Sequence, residues 1–141
     1  LDLHIVEYSD VLSQANNADS ALFRFAPDFV VYANFGALLQ SMVLTFDTDH
    51  ASDAGTQLLA EARMVLNALT RQGDTRFLVQ TVPATQPSVF GTAEPRQAGS
   101  FGAAVEQLNA GLAALGHPLV DIARLANLVG VYNWFDDAKY H

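Results

Sequence analysis

The sequence predicts an α/β fold, a three-layer arrangement with a mostly parallel sheet, and two observations carry that reading. Short apolar, β-rich runs alternate with stretches of helical spacing, in the order β-α-β-α-α-β-loop-α-β-α, which places helices on both faces of a sheet. One run, Phe29-Val30-Val31-Tyr32-Ala33, is apolar at every position, as in strands buried on both faces of a parallel sheet. No internal repeat and no linker divides the 141 residues, so a single domain spanning 1–141 is expected.

The elements follow in order. Leu3 to Tyr8 is short and β-rich and reads as a strand. Ser9 is placed to cap a short helix from Asp10 to about Ala15, and Asn16-Asn17-Ala18-Asp19 breaks it. Ser20 to Phe25 is another helical turn, and Pro27-Asp28 leads into the strand at 29–33. Asn34 and Gly36 close that strand, and Ala37 to about Val43 reads as helix. Ser52 or Asp53 caps the longest helix, about Ala54 to Gln72, with Leu58, Leu59, Ala62, Val65, Leu66 and Leu69 at helical spacing. Gly73-Asp74 stops it. Arg76 to Val82 is the next strand. The loop from Pro83 to Gly99 is long enough to suggest a functional role. Ser100 caps a helix to about Leu115, Gly116 ends it, Pro118 to Ile122 is a short strand, and Ala123 to Leu128 a short helix.

Half the residues are apolar, enough for a substantial core, and the net charge is −8. The seven Lys and Arg residues are scattered, which disfavours nucleic-acid backbones and anionic membrane surfaces alike. The chain has no cysteine, so disulfides, zinc–thiolate sites and a Cys nucleophile are excluded. No apolar run approaches the roughly 20 residues of a membrane span. No metal and no cofactor is implied. The absence of an initiating Met and of a basic leader leads us to expect a piece of a larger protein.

Four constellations bear on chemistry. Asp136 and His141, five residues apart in an aromatic-flanked C-terminal stretch, match the carboxylate and imidazole of a hydrolytic site, with Asp137 as an alternative acid. Their other reading is a solvated acidic turn. Asn34 and Gly36 follow a strand end, where parallel sheets bind ligands and where an amide or backbone N–H serves as an oxyanion donor. Gln80, Thr81, Glu94 and Arg96 border the long loop after the next strand and are candidate substrate contacts, with a plain Glu94–Arg96 pair as the structural alternative. Finally, Val43 to Asp49 looks like a strand running into Asp-x-Asp, the opening of a phosphatase nucleophile motif. Ala51 stands where Thr or Val is usual, so Asp47, Asp49 and Asp53 are read as an acidic loop instead. His4 and His117 are read as structural.

Taken in order, several segments resemble the N-terminal domain of FkbH-like proteins, multidomain members of the haloacid-dehalogenase (HAD) superfamily from polyketide-type biosynthetic clusters. The resemblance rests on His4 to Tyr8, Asp19 to Val31, Gln80 to Pro83, Phe90 to Arg96, Leu108 to Leu112 and Trp134 to His141, and it covers nearly the whole chain. It implies an SGNH-hydrolase-like, flavodoxin-like accessory domain ahead of a HAD domain. The implied role lies beside transfer of a phosphorylated three-carbon unit, such as a glyceryl group, to an acyl carrier protein. The implied partners are that carrier protein or a covalently linked HAD domain, and the implied location is cytoplasmic. The family's Gly-x-Asn-Asp text is absent around Asn34. Its Asp-x-x-His becomes Asp136 or Asp137 with four or three residues before His141. An SGNH esterase or acyltransferase completed by an upstream Ser is the enzymatic alternative, and a non-catalytic interaction module is the third.

In a flavodoxin-like strand order of 2-1-3-4-5, which the resemblance implies, the strand before residues 3 to 8 is central and lies upstream of Leu1. Residues 3 to 8 and 29 to 33 then lack their shared neighbour, and unpaired central backbone groups are costly. The expectation is that another segment fills the gap or that the two strands pair directly.

Overall fold

The computed structural model describes residues 2–33, 35–45, 53–72, 75–84, 91–130 and 133. It is an α/β fold in which a parallel sheet is flanked by helices. Strand β1 is Phe29–Tyr32, β2 is Arg76–Gln80 and β3 is Leu119–Val120, in the spatial order β1-β2-β3. Both pairings are parallel. Val30 lies opposite Phe77 in the first and Val79 opposite Leu119 in the second. At the start of β1 the Arg76 guanidinium lies 5.5 Å above the Phe29 ring, a cation–π contact across that register.

Six helices surround the sheet among the described residues: α1 Val11–Asn16, α2 Ala21–Phe25, α3 Phe35–Thr45, α4 Ala54–Gln72, α5 Phe101–Ala114 and α6 Ile122–Val129. The anticipated Ser100 cap forms, and Ser20 supplies a further one. The Ser20 hydroxyl accepts from the Phe23 N–H and opens α2, and the Ser100 hydroxyl accepts from the Ala103 N–H and opens α5. Each hydroxyl satisfies one of the amides that a helix start leaves without an internal partner. Gly116, at φ 77°, takes the left-handed conformation that closes α5, again as expected.

The core is built by α4 and α5 against β2. Leu66, Leu108, Leu112, Val65, Val79 and Val82 are the large, fully buried side chains of this layer. Glycine inside a helix costs roughly 1 kcal/mol against alanine, so the three in this pair, Gly55, Gly102 and Gly111, need a reason, and for two of them it lies where α4 and α5 meet. A Cβ on Gly55 of α4 would lie 2.7 Å from the Ala104 carbonyl oxygen of α5. A Cβ on Gly111 of α5 would collide with the Leu59 side chain of α4. The two glycines, one per helix, set how closely the axes approach.

Four expectations need correction. Residues 2–7 form no strand and Tyr8–Asp10 is a 3₁₀ turn, because this segment has no hydrogen-bonded strand neighbour among the described residues. Asp10, not Ser9, sits at the start of α1, and it makes no side-chain cap. The run at 29–33 is not covered on both faces: Phe29 is 53% and Val31 57% exposed, while Tyr32 is buried. Finally, Val43 to Thr45 is the end of α3 and not a strand, which removes the strand context of an Asp-x-Asp nucleophile. Asp47 and Asp49 lie outside the described residues. An intact five-stranded sheet is not present among the described residues.

Candidate functional site at the carboxyl ends of the strands

In a parallel sheet the strand carboxyl ends are where loops converge and ligands bind. Here β2 runs out through Gln80 into Thr81 and Val82, and β3 ends at Val120, directly before Asp121. Thr81 is buried, and its backbone N–H donates to the Val120 carbonyl at 3.1 Å, continuing the pairing of β2 with β3. Its hydroxyl donates to Asp121 Oδ1 at 3.1 Å and accepts from the Ala123 N–H at 3.0 Å. The same Asp121 oxygen accepts from the Arg124 N–H at 3.1 Å, so Asp121 is the N-cap of α6. Thr81 and Asp121 therefore bolt the start of α6 to the end of the sheet.

One residue further on, Asn109 of α5 grips the Val82 backbone from both sides. Its Oδ1 accepts from the Val82 N–H and its Nδ2 donates to the Val82 carbonyl, each at 2.8 Å. A side-chain amide carries both a donor and an acceptor, so it stands in for a neighbouring strand where the sheet has none. This holds the exit of β2 against the helical layer.

Glu94 and Arg96 lie in a 3₁₀ turn, Gly91–Arg96, that packs on the start of α5. Glu94 Oε1 accepts from the Gly102 N–H at 3.3 Å, and the Glu94 carbonyl accepts from the Ser100 hydroxyl at 2.6 Å. A carboxylate at a helix N-terminus meets the free amides and the positive end of the dipole, so Glu94 caps α5 together with Ser100. Arg96 is exposed.

The structure thus joins Thr81 to Asp121 at one point and Glu94 to Ser100 and Gly102 at another. Gln80 is half-buried at the end of β2, and Gly36 is the second residue of α3. Asn34, Asp136 and His141 lie outside the described residues. Asp121 and Asn109 carry no assignment from the sequence. An Asp directly before a helix is a capping signal, and an Asn four residues after Val105 on a helix with an inward apolar stripe marks a buried polar contact.

One titratable group is clearly displaced. The Tyr32 phenol is pushed up to about 12, first by burial and then by the negative charge of Glu61. Tyr32 packs edge-on against Phe35, with ring centroids 4.8 Å apart. His4 stacks on Phe25 and His117 meets Phe77 edge-on, both consistent with structural roles. Among the described residues no group of three or more His, Asp or Glu side chains is placed to hold a metal ion, and no helix is long and apolar enough to cross a membrane.

The class these features define is a three-layer parallel α/β domain. No protein-family model matches the chain, and no curated protein is similar to it at a significant level. A solved structure is similar in fold: the N-terminal part of the protein BF1531 from Bacteroides fragilis, containing a phosphatase domain complexed with Mg. The TM-score is 0.76 at 19% identity, over 96% of this chain and 36% of that one. This chain therefore spans about a third of the length of the solved chain it matches.

Proposed function

We propose that this chain is the SGNH-like accessory domain of an FkbH-like protein. In this reading it engages an acyl carrier protein, or a covalently linked HAD domain, beside transfer of a phosphorylated three-carbon unit such as a glyceryl group. The observation that supports the reading is the likeness in fold, over nearly the whole chain, to the N-terminal part of a protein that also contains a phosphatase domain. The hydrogen bonding at the strand ends is consistent with it. Thr81, Asp121 and Asn109 hold α6 and the exit of β2 in place, so their polar groups serve the scaffold.

Two measurements on the 141-residue chain test this. Titrated into isotopically labelled acyl carrier protein from the same gene cluster, it shifts a contiguous set of carrier resonances. Incubated with p-nitrophenyl acetate, it gives no turnover above buffer. Turnover that His141→Ala abolishes overturns the accessory reading in favour of an SGNH esterase. An unperturbed carrier spectrum overturns the proposed partner.

A further inference from the structure

We draw no further inference here: the strongest candidate, the surface patch in which Leu125, Leu128 and Val129 of α6 lie exposed among the described residues, carries no proposal because nothing in the structure shows what covers it.

Discussion

β1 and β2 are adjacent strands of similar apolar character that end in different environments. β2 has a strand on either side and the α4–α5 layer against it, and its Phe77 and Val79 are buried. β1 has a strand on one side only, and Phe29 and Val31 remain more than half exposed. Burial also depends on the face of the sheet: Val30 and Tyr32 share a face with Phe77 and Val79, and Phe29 and Val31 lie on the other. The continuous apolarity of residues 29–33 marks the strand correctly and overstates its burial, because only one face is covered among the described residues. Phe29 and Phe77 share a residue type but sit one register step apart, on opposite faces, and differ by that environment.

The largest expected effect follows from this pair. Phe77→Ala removes a buried ring that meets His117 edge-on and is expected to cost about 3–5 kcal/mol. Phe29→Ala loses mainly a partly exposed contact with Arg76, worth about 1 kcal/mol or less. Urea unfolding of both variants, with unchanged slopes, measures the difference. Equal losses would break the contrast between the strands.

Tyr32 tests the one well-buried side chain of β1. Its phenol is neutral below its pKa, and folding raises that pKa from 10.0 to about 12. The folded state therefore holds the proton more tightly than the unfolded chain. The resulting stability is fully present below about pH 10 and is lost as the pH rises through about 12. The shift corresponds to at most about 2–3 kcal/mol, and to less once solvent screening is allowed for. Unfolding measured at about pH 9 and about pH 11.5 shows the decline, and Tyr32→Phe makes it shallower. Ultraviolet absorbance of the phenolate follows the ionisation directly, and a transition that Tyr32→Phe removes near the ordinary value of 10.0 would contradict the buried placement.

How much of the molecule is legible in the sequence follows the same division. Local signals read well: the bounds of α4, the Ser100 cap and the Gly116 stop depend on nearest neighbours along the chain. Contacts distant in sequence are not readable. Thr81 with Asp121 spans 40 residues and Val82 with Asn109 spans 27, and neither pair has a local spacing to betray it. The segment at 3–8 departs from its sequence reading for a related reason. Its composition favours a strand, but pairing needs a partner, and composition does not supply one. Glu94 reads from sequence as a substrate contact or a partner for Arg96, yet its carboxylate reaches the Gly102 amide eight residues on, at a helix start that Ser100 already marks.

The smallest expected effect is the sharpest probe of the open edge. Val31 lies in β1, lines a cleft of about 400 Å³ shared with residues 2–6, and is 57% exposed. Truncating an exposed side chain away from caps, charges and cavities ordinarily changes stability by no more than about 0.5 kcal/mol. Val31→Ala is therefore expected to be nearly silent in the 141-residue chain, measured by urea unfolding at low micromolar concentration. A cost near that of a buried valine would mean that Val31 is already covered, and the contrast between β1 and β2 would fail at its weakest point.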